Sequence, residues 1–303
     1  MMAPMVLRRS LAGALVVVAA GTLAGCSWRL ETAPEPFRTP SPITVLRDQV
    51  AAAEAAVESS ARGAAGDQAD AEGAAVPARL SALGGVSPTS SPRPDSVFAD
   101  AVATAQSQAL ACMQAAELDP LGGLCASMAL SHATIDAAAN PSLVDATPFI
   151  VDAALTPGNG TAVTPDQLSR LALEHDQARA LFEVIAARSE GAERKAALAD
   201  SAAHLERVRA LLAMPGVEDL TQPQYDVSAS SVAGAADREA TARAAQVSLA
   251  DAYSALLVAA APQDRDWLVN AAFDAYKGAI RYGLGAAAVP ALPGAAQPSP
   301  SES

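Results

Sequence analysis

The chain has 303 residues and a formal net charge of −13, with 20 Lys and Arg against 33 Asp and Glu. So acidic a balance gives no electrostatic grip on a nucleic-acid backbone and is repelled by anionic lipid, which excludes a nucleic-acid binder and a charge-docked membrane protein. Aromatic residues are only 4 % and alanine is abundant throughout, which suits helices packed closely through small side chains.

Leu11 to Ala20 is an apolar run behind Arg8 and Arg9. It is shorter than the ~20 residues that span a bilayer, and it fits the core of an export signal. Leu23-Ala24-Gly25-Cys26 follows and resembles the lipobox of bacterial lipoproteins, a branched residue and two small ones before a cysteine. The resemblance implies that residues 1–25 are a signal peptide removed ahead of Cys26, whose thiol carries diacylglycerol. The protein is then expected on the extracytoplasmic face of the cell membrane, lipid-anchored through Cys26. An ordinary secretory signal with an incidental cysteine is the alternative. Two acyl chains, of the palmitate kind, make a stable anchor where one is marginal. Pro34, Pro36, Pro40 and Pro42 make residues 26–42 a semi-rigid spacer.

Ile43, Leu46, Val50, Ala53 and Val57 then recur at helical spacing up to Ala61. Residues 62–95, rich in Ala, Gly, Ser and Pro, are expected to be flexible apart from a short helix around 76–83. Ser96–Leu118 and Leu121–Ala138 read as a helical hairpin turning at Asp119-Pro120 and Gly122-Gly123. Cys112 and Cys125 flank that turn. With Cys26 acylated they form an even pair in an oxidising compartment, which predicts a disulfide. Closing so short a loop stabilises by ~3 kcal/mol in the chain-entropy model, and the spacing is neither Cys-x-x-Cys nor a zinc pattern. His132 and Asp136 read as an i, i+4 surface pair. The helical N-terminal region is thus set at 43–140, and residues 141–163 as an irregular connector.

The second half is more regular. Thr164-Pro165 is a helix start, with threonine as cap and proline at the first helical position. Leu168, Leu171, His175, Ala178, Phe182 and Ile185 follow as one stripe; Gly191 allows a turn; Leu198, Ser201, Leu205, Val208 and Leu212 form a second stripe before Pro215-Gly216. A long link leads to a third helix near 232–260, a sharp turn over Pro262–Asp266, and a fourth helix near 265–284. Two hairpins joined by one long connection predict an all-α, ferritin-like four-helix bundle over 164–284. The tail, 285–303, is expected to be disordered.

The blocks LALEHDQARALFEV, ADSAAHLERVRALL, QPQYDVSA, ADAYSALLVAA and DRDWLVNAAFDAYKGAIRYG lie within roughly Thr164 to Gly283. They resemble the ferritin-like domain of actinobacterial lipoproteins, a family catalogued only as a domain of unknown function. The family's Glu-His pair corresponds to Glu174-His175. His204, the loop from Pro223 to Tyr225 and Tyr253 follow in family order, while Arg281-Tyr282 stands where an Arg-Trp pair usually ends the fourth helix. The resemblance implies a fold and a location, and no established activity.

Di-iron proteins of this fold use two Glu-x-x-His pairs and two further glutamates. Here Gln177 stands three residues after Glu174, Ser201 stands three before His204, and the chain has only 3 histidines. No di-iron set, catalytic residue or cofactor is therefore expected. Phosphate loops, nucleophile elbows and zinc-spaced cysteines are also missing from the sequence. What remains is a level pair: His175 lies 15 residues before Glu190 and His204 14 after it, and helices rise ~1.5 Å per residue. Two readings stay open. One is a structural polar cluster of Glu174, His175, His204, Glu239 and Tyr253 inside a non-enzymatic module that binds an envelope protein or scaffolds. The other is a metal or small-molecule pocket built on Glu174, His175 and His204.

Overall fold

The computed structural model describes residues 39–86, 97–115, 121–145, 149 and 154–295. The signal peptide, Cys26 and most of the spacer fall outside the described residues. Eight α-helices and no strand occur among those described: α1 (Pro42–Ala61), α2 (Asp67–Ala82), α3 (Phe98–Gln114), α4 (Leu121–Ala139), α5 (Pro165–Ala187), α6 (Gly191–Leu212), α7 (Ala235–Val258) and α8 (Pro262–Arg281). None of them is long and apolar enough to cross a membrane.

The helices pair as the short connections require. Hairpins α5/α6 and α7/α8 make the most extensive contacts, α5 touches α7, and α1 packs on α2 and α3. Helix α4 is the pivot, lying against α2, α3, α7 and α8. It is buried almost from end to end, as expected of a helix apolar on every face. One continuous core therefore runs from Val50 and Leu130 to Tyr253, Trp267 and Phe273. Residues from Pro42 onward form one compact unit, so the α3/α4 hairpin shares its core with the second half of the chain.

The disulfide joins Cys112 at the end of α3 to Cys125 in the second turn of α4, with Cα atoms 5.8 Å apart. The turn between them, 116–120, lies outside the described residues. Two glycines let α4 seat. A Cβ on Gly123 would stand 2.0 Å from the Val258 carbonyl oxygen, and one on Gly122 2.3 Å from the Arg265 guanidinium. Gly123→Ala sets carbon against backbone, which no rotamer relieves. Its urea midpoint should drop by the equivalent of about 1–3 kcal/mol; a wild-type midpoint would show that α4 and α7 sit farther apart.

Three expectations are corrected. Residues 67–82, read as mostly flexible, are a sixteen-residue helix that continues through Pro77. The ring of a helical proline presses on the carbonyl four residues back, and here that residue is Gly73, which carries no side chain to crowd the site. Helix α8 starts at Pro262, its first-turn proline, where a sharp turn was expected. The tail is ordered as far as Ala295: Ala286 and Val289 are buried, and the carbonyls of Pro290, Ala291 and Pro293 accept bonds from Ser131, Arg79 and Ser127. Prolines lack the N–H but keep the acceptor, and the buried Ser127 and Ser131 of α4 use those of Pro293 and Pro290, while Arg79 of α2 uses that of Ala291. Residues 296–303 lie outside the described residues. The start of α5 is as expected, a capping box in which Thr164 and Gln167 satisfy each other's backbone N–H.

Candidate functional site

The link between α5 and α6 is only residues 188–190, with Gly191 at φ 55° opening α6. The two helices fold back so tightly that positions equidistant from the turn meet. His175 and His204 do so, Nδ1 to Nδ1 at 3.0 Å. Tyr253 of α7 approaches the other nitrogen of His175 with its hydroxyl at 2.6 Å, and the Gln246 carboxamide approaches His204 Nε2 at 3.3 Å. Phe182 stacks on the His204 ring. Gly278 of α8 makes room for the amide, since a Cβ there would stand 2.6 Å from it.

Both imidazoles are neutral. Burial is the largest cause and drives the His175 pKa well below its ordinary value, with His204 and Arg207 adding to it. Burial, then Arg207, pulls His204 down to about 4, although Asp274 works the other way. Burial pushes Tyr253 up, so it stays a phenol. The amide sets the proton order. Gln246 Nε2–H, which faces the ring, donates to His204 Nε2, His204 Nδ1–H donates to His175 Nδ1, and His175 Nε2–H donates to the Tyr253 hydroxyl oxygen. Turning the Gln246 amide end for end gives the opposite order, with the Tyr253 hydroxyl donating to His175 Nε2.

A cavity of about 40 Å³ adjoins the pair, enough for one or two waters. The charges around it pair with one another: Arg207 with Asp274 at 3.2 Å, and Arg281 with Asp200 at 3.4 Å. Of the five residues predicted to cluster, His175, His204 and Tyr253 converge. The other two do not. Glu174 faces a cleft with Gln177 and Ser248, where burial raises its carboxyl pKa and its Oε2 has no partner among the described residues. Glu239 lines another cleft beside Arg238 and Tyr282. Gln246, which sequence reading missed, takes their place.

A second cluster was not anticipated. Glu54 of α1, Glu72 and Arg79 of α2 and His132 of α4 are all 0 % exposed. His132 was read as a surface residue paired with Asp136; instead Asp136 bonds Gln68 and Asn140. His132 gives Nδ1–H to Glu72 at 2.9 Å and Nε2–H to Glu54 at 2.7 Å. Arg79 Nη1 bonds Glu72 at 2.7 Å and lies 3.0 and 3.1 Å from the two ring nitrogens. Such near-equal distances put it over the ring face. Its Nη2 reaches Ser131 and its Nε the Ala291 carbonyl. Burial, the largest influence, and Arg79 both push the His132 pKa down, but Glu54 and Glu72 outweigh them and hold it above the ordinary value. Burial would raise the two carboxyls, yet His132 and Arg79 keep both below theirs. Two anions and two cations therefore cancel in the interior.

Among the described residues, no group of three or more His, Cys, Asp or Glu is placed to hold a metal ion. Compared with protein-family models, with curated proteins and with solved structures, the chain matches none.

Proposed function

We propose that the protein is a lipid-anchored component of the cell envelope, held on the extracytoplasmic face through Cys26, whose acidic helical unit binds a protein partner or scaffolds and does not catalyse a reaction. The observation that supports a non-enzymatic role is closure at the histidines. All four imidazole nitrogens of His175 and His204 are taken by protein groups, and the adjoining 40 Å³ is far below the ~300 Å³ at which organic ligands are housed. The two hairpins α5/α6 and α7/α8, joined by the long link 213–234, are what the ferritin-like reading expects. The test of the anchor is Cys26→Ala in the full chain. The variant should accumulate uncleaved or escape to the medium, and the wild-type N-terminal peptide should carry a diacylglyceryl mass. Membrane retention of the variant as a normally cleaved chain would overturn the anchor.

One observation favours metal binding as a second reading. The two Nδ1 atoms converge while each Nε2 is held by a partner, as the outer nitrogens of metal-bound imidazoles usually are. Chelator dependence of stability separates the two readings.

A further inference from the structure

The first turn of α1, the end of α2, the start of α4, the end of α7 and Ala295 of the tail border an open hollow of about 430 Å³. Its walls are apolar, chiefly Ile43, Leu121, Leu124 and Val258. Ser127 also lines it, but gives its hydroxyl to the Pro293 carbonyl at 2.7 Å, so it holds its proton away from any guest. Among the lining residues Arg47 alone is charged, and it is exposed, at the rim. Asp48 engages its Nε and one terminal nitrogen through a single oxygen. The second terminal nitrogen has no partner among the described residues and can meet an anion.

Those features select a ligand. The volume lies at the small end of the ~300–1,000 Å³ range of ligand pockets, too little for a two-chain lipid. Besides Arg47, only Thr44 and Ser127 bring polar side chains to the lining, fewer than the converging groups that orient a ring-bearing cofactor. A flexible alkyl chain ending in one carboxylate matches both the walls and the rim. We infer that the hollow binds a long-chain fatty acid, with its chain against Leu121, Leu124 and Val258 and its carboxylate on Arg47. The inference rests on the envelope reading only for its supply, since a bilayer is where such acids are abundant.

The experiment uses the full chain in membranes, a hexadecanoic acid bearing a diazirine, illumination, and mass spectrometry of the adducts. Adducts should fall on peptides containing Ile43–Arg47 or Leu121–Ser127, and unlabelled hexadecanoic acid should compete. Each methylene removed from the competitor should weaken it about fourfold. Arg47→Gln, a change at an exposed side chain, should weaken competition by the acid about tenfold and leave competition by hexadecanol unchanged. Leu124→Trp should fill the hollow and remove the adducts. Adducts confined to other segments, or insensitive to both substitutions, would overturn the inference. Repeating the labelling on Cys26→Ala keeps the two readings apart. If only the anchor reading fails, the variant is cleaved normally, stays with the membrane and its hollow still labels. If only the fatty-acid site fails, the variant is uncleaved or leaves the membrane, and the hollow labels in neither the variant nor the wild type.

Discussion

Arg79→Leu should lower the unfolding free energy by about 3–5 kcal/mol at pH 7, the cost of breaking a buried ion pair from one side. That is a large share of the ~5–15 kcal/mol that holds an ordinary domain together. The substitution leaves Glu54 and Glu72, both fully buried, to share the single positive charge of His132. It also takes the donor from Ser131 and from the Ala291 carbonyl, which loosens the tail from α2. The charge argument can be tested separately from the packing argument. Adding Glu72→Gln to Arg79→Leu restores neutrality, one carboxylate facing one imidazolium, and should recover part of the loss, whereas Glu72→Gln alone should destabilise. Urea unfolding of the four proteins gives the coupling directly. If the double variant is no better than the sum of the singles, the four groups do not act as one network.

That network shows why part of the molecule was hard to read. Along α1, Val50, Glu54 and Val57 share a face; along α2, Ala69, Glu72, Val76 and Arg79 do. Taken singly, each charge resembles a solvated residue that happens to fall near an apolar stripe. Only jointly do they signal burial, as two anions on stripes with an arginine and a histidine available to cancel them. Nothing in local spacing says that α1, α2 and α4 meet. The histidine pair is the opposite case. A three-residue link and equal distances from the turn fix the meeting of His175 and His204 by helix geometry alone. Glu174 was misplaced because it neighbours His175 in sequence, and neighbours on a helix point about 100° apart. Gln246 was missed because an amide on an alanine-rich helix carries no periodic signal; its clue, Gly278, lies on another helix. The tail was misread because Pro/Ala/Ser composition describes the local chain, while its order comes from donors more than 150 residues away.

The acid response of the His175–His204 pair is the other large effect. His204 ionises near 4 in the folded protein and at about 6.5 when unfolded. Between those values the unfolded chain binds a proton that the native state does not, so stability rises with pH and is lost as pH falls from about 6.5 toward 4. For His204 alone the full loss is about 3 kcal/mol, and His175, also depressed, adds in the same direction. His132 has the opposite sign. Its pKa is raised, so its contribution is complete below about 6.5 and fades as pH climbs through the raised value. Glu54 and Glu72, both depressed, lose theirs only as pH falls below the usual carboxylate range. Stability should therefore peak near neutral pH, with the histidine pair setting the fall between pH 6.5 and 4. His175→Leu and His204→Leu should each cost about 1–3 kcal/mol at pH 7, because each strands the other's buried nitrogen. The double variant should cost less than the sum, and its stability should fall less steeply with acid by about one bound proton per histidine removed. Thermal unfolding with and without a chelator completes the cycle. Coupling without a chelator effect fits the hydrogen-bonded chain from Tyr253 to Gln246. Stabilisation lost to chelator in the wild type alone would transfer the pair to a metal, and strict additivity would mean that the two rings do not share a proton.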